Sequence, residues 1–167
     1  AGVACSSGKT DFLEGVFARL FLYHAAFIAL SKGITIMPNI SAKYSQFVMP
    51  DHINVVGTLF GGQMIAWVDL AAAKVSHRFL KGSNVDGAVT RTIDKVEFKE
   101  PVYLGDWVNF LATIVSVGET SFKIQVDAYA EGRHSEPRLA CVATIVMVAV
   151  KKDVDGKYQK ISHGKSF

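Results

Sequence analysis

Residues 54–73 read NVVGTLFGGQMIAWVDLAAA, and the apolar run after the Gly61-Gly62 pair carries one carboxylate, Asp69. The run is too long for a strand and suits a helix that starts at the glycines. Met64, Val68, Ala71, Val75 and Phe79 fall on one stripe at helical spacing, so a helix over 61–80 should lay that stripe on a sheet. Lys81-Gly82 is a normal stop signal.

Working outward, residues 40–48 read as a strand ended by Met49-Pro50, and 51–59 as a loop carrying Asn54 and Gly57. Downstream, 85–98, 107–117, 120–131 and 139–151 read as strands, with turn signals at Gly105-Asp106, Gly118-Glu119 and Asp155-Gly156. The last of these is nearly all apolar, which predicts burial on both faces. One long helix followed by four long antiparallel strands gives an α+β domain, a sheet wrapped around a helix. Residues 1–36 read as an N-terminal extension with one helix near 11–30, and 37–167 as the domain.

Half of the 167 residues are hydrophobic and 20% are charged. An apolar excess of this kind suggests an oligomer that hides surface against its own copies. A net charge of +3 is too weak and dispersed for a nucleic-acid partner. Residues 12–30 are interrupted by Glu14, Arg19 and His24, so no membrane span is expected. Cys5 and Cys141 form no spaced set, which points away from disulfides and zinc and toward a reducing, cytoplasmic compartment. Cys141 reads as a packed thiol. His24, His52, His77, His134 and His163 lack ligand spacing, so no metal site is expected.

A helix that begins on glycines offers unpaired N–H groups and a positive dipole end to a developing negative oxygen. Gly62 and Asp69, seven residues apart, project within about 20° of each other, on a face distinct from the Met64–Phe79 stripe. Along the axis they are about 10 Å apart. A reacting carbonyl needs its oxyanion donor and its base each about 3 Å away, so one helix cannot supply both. Two antiparallel copies in a two-fold dimer can, which makes the site an argument for a homodimer. Asn54, in the loop before the glycines, adds an amide able to donate to a carbonyl or orient a water. Asn54, Gly62 and Asp69 are the candidate catalytic set, suited to attack on an activated acyl group with Asp69 as base or nucleophile. The competing readings are an ion-paired Asp69, a tight loop-to-helix junction at the glycines and an Asx turn at Asn54. No Lys or Arg lies at i±3 or i±4 from Asp69, which weakens the first of these.

The order Asn54, Gly57, Phe60, Gly61, Gly62 and Asp69 resembles the hot-dog acyl-CoA thioesterases, and among them the small bacterial hydrolases akin to the brain long-chain enzyme. The likeness continues in Val96-x-Phe98-x-x-Pro101-Val102-x-x-Gly105-Asp106, in Gly118-Glu119-Thr120-Ser121 and in Val148-Ala149-Val150, and spans roughly 38–162. The resemblance implies a hot-dog fold, dimers often assembled as a trimer of dimers, and hydrolysis of acyl-CoA without metal or separate cofactor. It implies Asp69 as the carboxylate that activates water or attacks, Asn54 holding the thioester or water, and Gly62 N–H polarising the carbonyl beside Gly61. Phe60, Gly61, Thr120, Ser121 and Arg91 are candidate substrate contacts, with Lys95, Lys99, Arg133, Arg138, Lys151 and Lys152 as further cations for the CoA phosphates. Lys151 stands where relatives often have an acid, and Ile145 and Met147 replace common aromatics. Two rivals are a non-catalytic acyl-CoA sensor and a hot-dog hydratase. The hydratase needs a His-acid pair, and Phe60 stands where such a His would be.

Overall fold

The computed structural model describes residues 40–166. The chain divides into two units, Ala1–Pro38 and Asn39–Phe167; the helix expected near 11–30 lies outside the described residues. β1 (Ser41–Phe47) ends before Met49-Pro50, where Pro50 lacks an N–H and opens a 3₁₀ turn, Pro50–His52. A loop then leads into α1 (Gly61–Leu80), which buries the expected stripe together with Trp67, Ala72, Ser76 and Leu80 beside it. Ser76, the polar residue of that face, donates its hydroxyl proton to Ala72 O at 2.7 Å, so nothing polar is stranded.

The strands that follow are β2 (Gly87–Phe98), β3 (Trp107–Val117), β4 (Ser121–Glu131), β5 (Arg138–Lys152) and the short β6 (Tyr158–Lys160). Their order in space is β1-β3-β4-β5-β2, all antiparallel, with β6 on the end of β5. The domain is α+β: one helix lies across an antiparallel sheet and touches each of β1 to β5. Phe110, Phe122, Ile124 and Ile145 of the sheet and Val68 and Val75 of the helix are fully buried between the two layers. Each such side chain contributes roughly 1.5–3 kcal/mol relative to exposure. Phe79 meets Phe122 edge-on, ring centroids 4.9 Å apart, and Trp67 meets Phe110 at 6.4 Å. Cys141 is buried in this core, and burial pushes its thiol up to about 11, so it is packing rather than chemistry.

Some expectations need correction. β2 begins at Gly87 because Asp86 closes the strand end: its N–H donates to Val150 O (3.0 Å) and its Oδ2 accepts Lys152 N–H (2.8 Å). Bulges interrupt β2 between Thr90 and Thr92 and between Ile93 and Lys95, where the sequence alternation reads as regular. β6 was not expected, since Tyr158, Gln159 and Lys160 are all exposed. It forms because Asp153 Oδ1 accepts the N–H groups of Asp155 and Lys157 and Gly156 takes φ +79°, turning the chain back on β5. Two-sided burial of β5 holds for Val148, Ala149 and Val150, while Val142, Thr144 and Val146 on the outer face are only half covered.

Arg138 is not free for a phosphate. Its Nη2 donates to the buried carboxylate of Asp106 at 2.5 Å and to Pro101 O at 3.0 Å, and its guanidinium lies 5.7 Å from the Tyr103 ring centroid. Asp106 Oδ2 also accepts Tyr103 N–H at 3.0 Å. This pair holds the loop from Pro101 to Asp106 in shape. Arg138→Met leaves the Asp106 charge buried and uncompensated, and is expected to cost about 3 kcal/mol. A lowered urea midpoint at unchanged slope checks this. Lys95→Met, which removes one exposed partner of Glu97, is expected to leave the midpoint where it is.

Candidate active site

Phe60 is the N-cap of α1, in extended backbone with no side-chain cap, and no acidic residue sits in the first turn. Internal donation begins at Gln63 and Met64, whose N–H groups reach Phe60 O at 3.0 and 3.2 Å. The N–H groups of Gly61 and Gly62 therefore have no partner among the described residues, and the positive helix end is unneutralised. A side chain at Gly62 would have to turn the exposed Phe60 ring aside, whereas one at Gly61 would make ordinary contact with the Phe98 ring. A Cβ on Gly62 would lie 2.4 Å from the Phe60 ring, and one on Gly61 would lie 3.4 Å from the Phe98 ring. Two half-exposed aromatic rings thus flank the pair.

Asp69 lies two turns further along α1 and is half-buried. Its Oδ1 accepts a hydrogen bond from Thr90 Oγ1 on β2 at 2.5 Å, and no cation pairs with it among the described residues. Of the competing readings, the ion-paired Asp69 therefore finds no support. The carboxylate is oriented through one oxygen and leaves Oδ2 open. Thr90 Oγ1 also touches Met147 Sδ at 3.2 Å, which fixes the hydroxyl against the β5 side of the sheet. Thr90 was not singled out from the sequence. Only the inward alternation of β2 marks it, and the bulge that follows obscures that signal. The bulge sets Arg91 on the exposed edge next to Thr90 with no ion pair among the described residues, so of the predicted phosphate contacts it is the one nearest the carboxylate's support.

Asn54 serves its own loop. Oδ1 accepts the N–H groups of Val56 (3.0 Å) and Thr58 (3.1 Å), Nδ2 donates to Thr58 Oγ1 (3.0 Å), and Gly57 takes φ +86°. One amide hydrogen is left. Ser121 pairs with Val148 on the row that continues to Val89, and the next row joins Phe122, Met147 and Thr90. Phe122 and Met147 are buried toward the helix, so Ser121 takes the opposite face of the sheet, and Thr120 O is used by Ala149 N–H. The single chain therefore does not bring Thr120 or Ser121 to the glycines. Lys95 and Lys99 both pair with Glu97 at 2.6 Å and hold its carboxyl down at about 2, and Lys151 Nζ donates to Asn84 Oδ1 at 2.6 Å. His52 accepts Met49 N–H at Nδ1, lies 3.7 Å from Asp51 Oδ1 through Nε2 and stands edge-on to Trp67, 5.0 Å between centroids. No metal-binding cluster of His, Cys, Asp and Glu exists among the described residues.

A helix start with open N–H groups and a carboxylate oriented by Thr90 thus lie on one helix packed against the sheet. The thioesterase superfamily profile matches residues 56–136. The acyl-CoA thioester hydrolase YciA of Salmonella typhimurium is 32% identical over 113 residues, 65% of this chain and 80% of the relative. The chain belongs to the acyl-CoA thioester hydrolases. An acyl-CoA thioester hydrolase of Buchnera aphidicola is 28% identical over 134 residues, 79% of this chain and 91% of the relative. The hot-dog fold thioesterase of Campylobacter jejuni, described as hexameric, superposes with a TM-score of 0.60 at 32% identity, covering 73% of this chain and 95% of that one. In this thioesterase Thr90→Val removes the donor to Asp69 at nearly constant volume. Activity is expected to fall on the order of tenfold, with a thermal midpoint close to wild type; steady-state rates beside a melting curve check both.

Proposed function

We propose that the protein hydrolyses acyl-CoA thioesters to free CoA and a carboxylic acid at a site shared by two copies of the chain. Asp69 carries the reading: it is a half-buried carboxylate, oriented by a neutral hydroxyl and matched to no cation among the described residues, on the helix face that also holds the open Gly62 N–H. The thioester carbonyl accepts a hydrogen bond from Gly62 N–H, which takes up the negative charge that develops on oxygen. Asp69 Oδ2 removes a proton from water as it attacks, or attacks the carbonyl carbon itself. Collapse of the tetrahedral adduct expels the CoA thiolate; it leaves the free acid where water attacked, and an acyl-Asp69 anhydride where Asp69 attacked, which water then hydrolyses to the acid and the restored carboxylate. To the remaining amide hydrogen of Asn54 this reading gives the task of steadying carbonyl or water.

Helix pitch keeps Gly62 and Asp69 of one chain about 10 Å apart, so the partner supplies the missing group. The edge strand β2 supports this pairing. It is twelve residues long, has a neighbour on one side only within the described chain, and exposes Val89 and Ile93. Such an edge invites a second strand. A full antiparallel overlap of β2 with its two-fold copy sets Gly87 opposite Phe98 and Thr90 opposite Lys95. That brings the Asp69–Thr90 end of one protomer alongside the Gly61–Phe98 end of the other. The assembly we propose is a homodimer, built into a trimer of dimers as the hexameric description of a relative suggests. No helix among the described residues is long and apolar enough to cross a membrane, and a CoA substrate fits a cytoplasmic setting.

Mixed oligomers test the shared site. Asp69→Ala and Gly62→Val, each alone, are expected to abolish release of free CoA. Mixed in equal amounts after dissociation and reassembly, they should recover about a quarter of wild-type activity, because half of the dimers then carry one intact site out of two. No recovery, with hybrids confirmed by mass, rejects the shared site. Activity unchanged in Asp69→Ala rejects the mechanism, and wild type that binds acyl-CoA without releasing CoA returns the sensor reading.

A further inference from the structure

Thr90 is exposed on the strand β2, yet its side chain has to hold one rotamer to give its proton to Asp69. A threonine has three staggered wells at χ1, and one of them aims Oγ1 at a given neighbour. Among the described residues the partners of Thr90 Oγ1 are Asp69 Oδ1 at 2.5 Å and Met147 Sδ at 3.2 Å. The hydroxyl carries one proton, and a carboxylate is a far stronger acceptor than a thioether. The proton therefore lies toward Asp69, and the sulfur meets the oxygen as a packing stop. We propose that Met147 is a positioning residue whose δ atom holds Thr90 in the well that orients Asp69, an inference that rests on the hydrolysis proposed above.

The place of Met147 suits it to this task. It is buried on β5, which is paired on one side with β4 and on the other with β2, so its backbone is fixed. Its side chain faces the helix between Phe122 of β4 and Thr90 of β2, its direct partners across the sheet. Phe122 is buried too and backs against Phe79 of α1, ring centroids 4.9 Å apart. A row of side chains thus leaves α1 at Phe79, crosses Phe122, Met147 and Thr90, and returns to α1 at Asp69. Methionine is a flexible side chain, but here the Phe122 ring behind it blocks the retreat of the sulfur. On its other side Thr90 has no such stop within the described chain, because the bulge at Arg91 follows it and β2 is the sheet edge.

The test compares Met147→Val, which removes the δ atom and keeps a good strand former, with Met147→Leu, which keeps a δ atom without the sulfur. With Thr90 released among three wells, Met147→Val is expected to lower kcat about threefold at an unchanged KM. Met147→Leu should restore the wild-type kcat. In a Thr90→Val background Met147→Val should cost nothing further, because the hydroxyl it positions is gone. A merely structural role would lower both backgrounds alike. Crystal structures give a readout without turnover: Thr90 in one rotamer in wild type and in Met147→Leu, and in more than one in Met147→Val. A loss that persists in the Thr90→Val background overturns the inference, as does an equal loss in Met147→Leu or a single Thr90 rotamer in Met147→Val. Full activity in Asp69→Ala overturns the hydrolysis mechanism instead, and the Thr90 rotamers then decide the positioning alone. If Met147→Val fails to fold, Met147→Cys, which also ends at the γ atom, takes its place.

Discussion

Helix α1 has to bury one stripe of its surface, and the contact of Met64, Val68, Val75 and Phe79 with Phe110, Phe122 and Ile145 fixes its rotation about its own axis. With rotation fixed, Gly62 and Asp69 have no freedom either: seven residues apart, they share the face left over. Asp69 then meets β2 at Thr90, and Gly61 meets β2 at Phe98. The large apolar burial between helix and sheet thus holds the polar geometry, at a scale of energy no hydrogen bond at the site could match.

The fold was legible because its signals are periodic and long. The helix bounds 61–80 and the stripe were readable to the residue, since twenty residues of one period leave little ambiguity and glycines mark both ends. The strands β3, β4 and β5 came through for the same reason. What escaped was local and polar. β6 has three exposed residues and owes its place to the Asp153 turn. The bulges in β2 leave no mark in a string of alternating residues. Thr90 escaped because a single Thr in a strand is ordinary until the fold sets it beside Asp69.

At the site, residue type was easier to read than residue duty. In the sequence Asn54 reads both as a catalytic amide and as an Asx-turn residue. The structure engages three of its hydrogen-bonding positions in the loop and leaves one over. Arg138 and Arg91 carry the same charge in the sequence, yet one is consumed by buried Asp106 and the other, exposed at the edge of β2, has no ion pair among the described residues. Sequence spacing cannot separate such cases, because the partner of each arginine is decided by strands brought together from distant parts of the chain.

The connectivity of the sheet also ranks its strands by the chain length that must be closed to attach them. β3, β4 and β5 follow one another as hairpins, with Val117 beside Phe122 and Ala130 beside Arg138. β1 and β2 come from outside that series, setting Ser41 against Thr113 and Gly87 against Val150. The entropy of loop closure therefore weighs most on the two edges. The strand that carries Thr90 and Phe98 is one of them, so the strand that flanks the proposed site is also among the most expensive to hold in place. A second copy of β2 along that edge would then act as a clamp, restraining the strand just where the chain alone restrains it least.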